Sequence, residues 1–145
     1  MRAPTLLEIM SFLSLWIAQR ASTLLVDDHV PVRTALRRML TGYANVHVVG
    51  EACDGKQAIE LVPLYQPHVV LMDFYMPRMN GVEAARIMKE SWQEIAIIGI
   101  SMAPDTFITD AFVKAGAVAV VSKDQVDHLY STIQQASPKK ILWEA

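Results

Sequence analysis

One cysteine, Cys53, is all the chain contains. That excludes an internal disulfide and a zinc site built from several thiolates. A strong charge of either sign is also missing: 13 basic against 15 acidic residues leave a net charge of −2. Such a balance gives no electrostatic handle for nucleic acid. Glycine is sparse, at six positions, and there is no internal repeat or low-complexity tract. No apolar run reaches the ~20 residues of a typical membrane-crossing helix. What is present is apolar sequence, 52% of 145 residues. That is rich for a soluble domain and fits a sheet covered on both faces. At this length roughly 68–70% of the unfolded surface is buried on folding, enough for one full core. A cytoplasmic setting with no membrane contact is the expectation.

The first twenty residues stand apart. Residues 6–18 are nearly continuously apolar, broken by Glu8, Ser11 and Ser14. Spaced by three, those residues make one narrow polar stripe on a helix. Leu6, Leu7, Ile9, Met10, Phe12, Leu13, Trp16 and Ile17 cover the rest and need a partner. The expectation is a helix that packs on the domain or on a second copy. An extension without functional weight and a targeting segment are the other readings. The division expected is an apolar helical extension over 1–20, a domain over 21–137 and a tail over 138–145.

From residue 21 short β-branched runs alternate with amphipathic helical stretches. Runs at 23–26, 46–49, 69–72, 95–100 and 118–121 read as strands. Pro31 sits in the first turn of a helix opened by Asp28 or His29. In that helix Val32, Ala35, Leu36, Met39 and Leu40 form one apolar face, and Thr41-Gly42 ends it. Asp54-Gly55 opens a helix to about Val62, where Pro63 is expected to weaken or end it. Further helices are expected over 82–90, over 105–115 with Gly116 as stop, and from Asp124 or Gln125 to Ala136. Five β–α units in this order imply a parallel sheet with right-handed crossovers.

The chemistry gathers at the ends of four of these runs. Asp27 and Asp28 close the first, Asp73 the third and Ser101 the fourth, and Lys123 follows the fifth. Ligands of such sheets bind beyond the carboxyl ends of the strands. Three carboxylates at one spot repel each other, and a hard divalent cation removes that cost. Oxygen ligands with positions open to water and phosphate suit Mg²⁺. His29 is adjacent but has no second histidine at ligand spacing. An aspartate there can also attack a phosphoryl group to form an acyl phosphate. Asp73, ending the central strand, is the expected nucleophile. Taken singly, the Asp pair reads as a helix cap, the lysine as a surface charge and the serine as a turn residue. Their joint occurrence at carboxyl ends favours the site.

These residues, with Asp73-Phe74-Tyr75-Met76-Pro77-Arg78-Met79-Asn80-Gly81 and Ser122-Lys123-Asp124, resemble the receiver domain of bacterial two-component response regulators. The likeness runs from about residue 21 to 136. Glu51-Ala52-Cys53-Asp54-Gly55 and the Lys-Asp after strand five are most similar to the NarL/LuxR-type subgroup. The resemblance implies a flavodoxin-like (βα)5 doubly wound α/β fold, strand order 2-1-3-4-5, here with an extra apolar N-terminal helix. It implies Asp73 as phosphoacceptor and Mg²⁺ held by Asp27, Asp28, Asp73 and the Tyr75 backbone carbonyl. It implies Ser101 and Lys123 as phosphoryl-stabilising residues and Pro77 and Gly81 as loop-shaping ones. The implied donor is a phosphohistidine on a sensor histidine kinase or a phosphotransfer protein.

Two departures mark this chain. Receivers usually carry Tyr or Phe three residues before the lysine, where this chain has Val120. A small side chain there cannot report a Ser101 shift by swinging inward. Gly99, inside a predicted strand, has no role in that pattern. Second, residues 137–145 are too few for the helix-turn-helix domain that usually follows. The expected function is therefore signalling by protein contacts, with a homodimer through the N-terminal helix left open and no direct nucleic-acid binding. The alternative is the receiver fragment of a NarL/LuxR-type transcription factor. Catalysis beyond the chain's own phosphorylation and dephosphorylation is not expected. An aspartyl phosphatase usually has a second Asp two residues after the first, where Tyr75 stands here. A degenerate receiver that works without phosphate is opposed by the complete set of five site residues.

Overall fold

The computed structural model describes residues 1–18 and 20–138, apart from the side chains of residues 16–18. The tail expected over 138–145 lies outside the described residues beyond Pro138. Five apolar runs form one parallel sheet: β1 (Ala21–Val26), β2 (Val46–Ala52), β3 (Val69–Asp73), β4 (Ala96–Ser101) and β5 (Ala119–Ser122). Their order is β2-β1-β3-β4-β5, as the resemblance implies. The order reverses between β1 and β3, and a crevice opens there at the carboxyl edge.

Among the described residues there are six helices: α1 (Leu6–Ala18), α2 (Val30–Thr41), α3 (Gly55–Tyr65), α4 (Gly81–Ser91), α5 (Thr106–Lys114) and α6 (Val126–Ala136). Strand pleating divides the core in two. Leu24, Val26, Val70, Met72 and Ile97 point to one face, where Ala58 and Val62 of α3, Ala84, Ala85 and Met88 of α4, and Ile108 and Phe112 of α5 cover them. Leu25, Val69, Leu71, Ile98, Ile100 and Val121 point to the other, under Leu36 and Leu40 of α2 and Leu129 and Ile133 of α6. Every residue of β3 is buried, which is why that strand reads as an unbroken apolar run.

Local signals set most helix starts. Asp54, Asn80 and Asp105 each accept a hydrogen bond from the backbone N–H three residues on, at Gln57, Glu83 and Ile108. Each satisfies a donor that the first turn leaves free. One expectation needs correction. Pro63 does not end its helix: α3 runs on to Tyr65 and stops at Gln66, which adopts a left-handed conformation with φ 47°. Proline removes one backbone donor, and so near the helix end that loss is small compared with keeping Val62 in the core.

Through Leu15, the described side chains of α1 do not pack on the domain. Leu6 and Leu7 are each 74% exposed, and Met10, Phe12, Leu13 and Leu15 are exposed as well. Trp16 and Ile17, also assigned to that apolar face, lie outside the described side chains. Glu8 is not simply part of a polar stripe. Its carboxylate accepts from the Thr5 backbone N–H at 2.8 Å, while the Thr5 hydroxyl accepts from the Glu8 N–H at 3.2 Å. This reciprocal pair caps the helix, and Arg2 adds an ion pair at 2.6 Å. The Arg2 bond, with those from Thr5, brings the Glu8 carboxyl down to about 2. Among the described residues no helix is long and apolar enough to cross a membrane.

Candidate metal and phosphoryl site

The carboxyl ends of β1, β3 and β4 and the turn after β5 bring the predicted residues to one edge. Asp27, Asp73 and Ser101 are buried. Lys123, one residue beyond β5, bridges the two aspartates: its Nζ lies 2.6 Å from Asp27 Oδ2 and 3.0 Å from Asp73 Oδ1. The backbone fixes the lysine, because Lys123 N–H donates to the Ser101 carbonyl at 2.9 Å. An open cavity of about 620 Å³ reaches Asp73 and Lys123 and is lined by Ser101, Tyr75, Met102 and His29, among others.

Two carboxylates share one ammonium, and the electrostatics record the imbalance. Burial pushes the Asp73 carboxyl above its ordinary range, the Asp27 charge adds to this, and the Lys123 hydrogen bond opposes it. For Lys123, burial works against the charge. Its hydrogen bonds to Asp27 and Asp73, with their charges, outweigh burial and hold it above the usual lysine value. The lysine is a fixed cation, and Asp73 is a carboxylate short of compensation.

Asp28 adds the third carboxylate. Its Oδ1 is enclosed and accepts no hydrogen bond, a costly state for a carboxylate oxygen. His29 Nδ1 lies 3.1 Å from it and 3.6 Å from Asp27 Oδ1. Ligand atoms of Asp27, Asp28 and His29 fall within 4.8 Å of one another. Sequence reasoning set His29 aside for want of a second histidine. The structure instead places it at the rim of the carboxylate cluster, with its backbone N–H donating to Asp27 Oδ1 at 2.9 Å. An enclosed oxygen without a donor and a surplus of carboxylates fit a hard cation.

The loop after β3 is built by close approach. A Cβ on Gly81 would stand 1.9 Å from the Asp73 carbonyl oxygen, so only glycine fits under the strand end. Gly81 N–H donates to the Phe74 carbonyl at 3.0 Å, and Met79 N–H to the Pro77 carbonyl at 2.7 Å. Arg78 adopts φ 66°, a conformation that costs a non-glycine residue on the order of 1 kcal/mol. Its guanidinium reaches back 2.5 Å to Asp54, the buried cap of α3. This tie between two loops was not foreseen, because nothing in linear spacing links residues 54 and 78. Val120 lies below Lys123 on β5, half-buried against the α3–α4–α5 face of the core. No aromatic ring stands at that position.

Comparison with known proteins agrees with this geometry. The family "Response regulator receiver domain" matches residues 23–134. The nitrate/nitrite response regulator protein NarL of Escherichia coli K12 is 33% identical over 127 residues, covering 86% of this chain and 59% of that one. The transcriptional regulatory protein DegU of Brevibacillus brevis is 34% identical over 100 residues, covering 69% of this chain and 42% of its own length. The chain thus spans about half the length of these curated relatives. Among solved structures, the response regulator domain of Thermotoga maritima CheB superposes with a TM-score of 0.76 at 27% identity, covering 81% of this chain and 96% of its own. The NarL receiver domain of Mycobacterium tuberculosis gives 0.71 at 29% identity, covering 79% and 97%. The fold, the carboxyl-edge cluster and these matches lead to one assignment: the chain belongs to the response regulator receiver domain family of two-component systems, in its NarL/LuxR-type branch.

Proposed function

We propose that Asp73 accepts a phosphoryl group from a phosphohistidine on a sensor kinase or phosphotransfer protein, in a site that uses Mg²⁺. The observation that carries this is the position of Asp73: at the end of the central strand, short of compensating charge, and 3.0 Å from a fixed ammonium. One Asp73 carboxylate oxygen attacks phosphorus. The P–N bond to the donor imidazole breaks, its electron pair returns to the ring nitrogen, and an acyl phosphate forms on Asp73. Lys123 turns its charge from the Asp73 carboxylate to the incoming phosphoryl oxygens, and the Ser101 hydroxyl donates to one of them. Asp27, Asp28, Asp73 and the Tyr75 backbone carbonyl would hold the cation, and Pro77 and Gly81 keep that loop in place. Bound there, Mg²⁺ would neutralise charge on the phosphoryl oxygens.

The output is a change in protein contacts made in the cytoplasm, without catalysis beyond this site's own phosphorylation and dephosphorylation. Self-association through exposed α1 belongs to the same reading. A second reading is favoured by one observation: the chain spans 42% of DegU and 59% of NarL. In that reading it is the receiver of a longer regulator whose DNA-binding part lies outside this chain. The coding sequence beyond Ala145 distinguishes the two.

The test of the chemistry is a mass measurement after incubation with Mg²⁺ and an acyl phosphate donor. The expected result is a gain of one phosphate that vanishes with EDTA and in Asp73→Asn. An Asp73→Asn chain that still gains the phosphate would overturn the assignment.

A further inference from the structure

Gly99 lies in the middle of a buried strand, where a glycine weakens the ladder unless something needs its space. It pairs with Met72 of β3 on one side and Val120 of β5 on the other. A Cβ there would stand 2.6 Å from Cδ2 of Phe112. Phe112 is fully buried, so its ring is seated on bare strand backbone. Pleating puts Gly99 and Ser101 on the same face of β4, with Val120 beside Gly99. Val120 packs against the same core layer as this ring, which is supplied by α5.

The ring has a second neighbour at the site. Phe74, which follows Asp73, has its centroid 5.9 Å from Phe112, in edge-on geometry. Phe74 also meets Tyr75 at 4.6 Å and Phe107 at 6.3 Å. Phe107 is 70% exposed on α5. Two routes thus lead from the site to one ring: Asp73 through Phe74, and Ser101 through the backbone at Gly99. Both continue along α5 to the surface.

We propose that Phe112, seated on Gly99 and against Phe74, carries the state of the phosphoryl site to the outer face of α5. This rests on the phosphoacceptor reading of Asp73 and names how that site is read out. Close-packed interiors pass on small displacements, because there is no void to absorb them. When Ser101 and the Asp73–Phe74 backbone close on a phosphoryl group, the Phe112 ring is displaced with them. The α5 helix moves as a unit, and Phe107 reports the move at the surface.

The chain has four phenylalanines, Phe12, Phe74, Phe107 and Phe112, so fluorophenylalanine labelling gives four resolvable fluorine signals. Mg²⁺ and beryllofluoride, which stands in for the phosphoryl group, are added to the full chain. The expected result is a shift of the Phe112 and Phe107 signals, while Phe12 on α1 stays in place. In Phe112→Leu, beryllofluoride still binds and the Phe107 shift falls, what is left passing through the direct contact of Phe107 with Phe74. An undiminished Phe107 shift in Phe112→Leu overturns the proposal. If that variant does not fold, the unaltered chain decides: an unmoved Phe112 signal with beryllofluoride bound overturns it. Absence of bound beryllofluoride in the unaltered chain overturns the phosphoacceptor reading, and this proposal with it.

Discussion

In the proposed reaction Asp73 has to be buried for the site to exclude water and charged for it to attack phosphorus. Those demands conflict, and the raised Asp73 carboxyl records the conflict, with burial as its first cause. A group whose folded value lies above its unfolded value contributes stability below the unfolded value. That contribution is lost as pH rises through the folded one. Asp73 therefore costs stability at neutral pH in the absence of a divalent cation. The expected outcome is that Asp73→Asn, in EDTA, is more stable than the parent by about 0.5–2 kcal/mol at pH 7, in the range usual for relieving a functional site. The gain should shrink as pH falls toward 3.8, the ordinary Asp value, and thermal melts across pH measure it. Mg²⁺ should narrow the difference by stabilising the parent alone, through mass action. At this scale the site was largely legible. Asp27, Asp28, Asp73, Ser101 and Lys123 each sit at or just beyond the end of an apolar run, and strand ends share an edge. His29 was undervalued, because its approach to Asp28 depends on how the backbone turns into α2.

The α3 cap shows how an element reaches the site. Asp54 accepts from Gln57 N–H at 2.8 Å and pairs with Arg78 at 2.5 Å, joining the start of α3 to the loop after β3. Asp54→Ala removes both, and the cap alone is worth about 1 kcal/mol; the midpoint of a urea titration should fall accordingly. The hydrogen bond from Gln57 is the first cause holding the Asp54 carboxyl below its ordinary 3.8. A lowered value contributes stability above the unfolded pKa, lost as pH falls through the folded one. The difference between parent and Asp54→Ala should therefore close under acid, opposite in sign to Asp73→Asn. The α1 helix makes another prediction. Its apolar side chains are exposed along the described length, so the full chain should show twice its monomer mass by light scattering, and a chain starting at residue 21 its own monomer mass. A full chain at its monomer mass, or a truncated chain that still dimerises, would remove α1 from any dimer. The Thr5–Glu8 cap was present in the sequence as T-x-x-E, yet Glu8 was read by its spacing to Ser11 and Ser14 instead.

Across the whole molecule, the two core layers set what the site can do. Asp27, Asp73 and Lys123 continue the pleat of Leu25, Leu71 and Val121, on the α2–α6 side. Ser101 continues that of Ile97 and Gly99, on the α3–α4–α5 side. A phosphoryl group placed on Asp73 would thus lie where both layers end. Class and element order were legible because fully buried strands are apolar throughout and helices alternate with them. Strand order followed from the resemblance, since alternation by itself does not say which strand is central. The seating of Phe112 on Gly99 was not legible, because it depends on the rotation of α5 over the sheet. Underneath all of this lies the claim that Asp73 forms an acyl phosphate. The most direct test is to phosphorylate the chain with an acyl phosphate and Mg²⁺, reduce it with borohydride, and sequence the peptides by mass spectrometry. The account predicts homoserine at position 73 and nowhere else. Homoserine at another aspartate, or none from a chain shown to carry the phosphate, would contradict it.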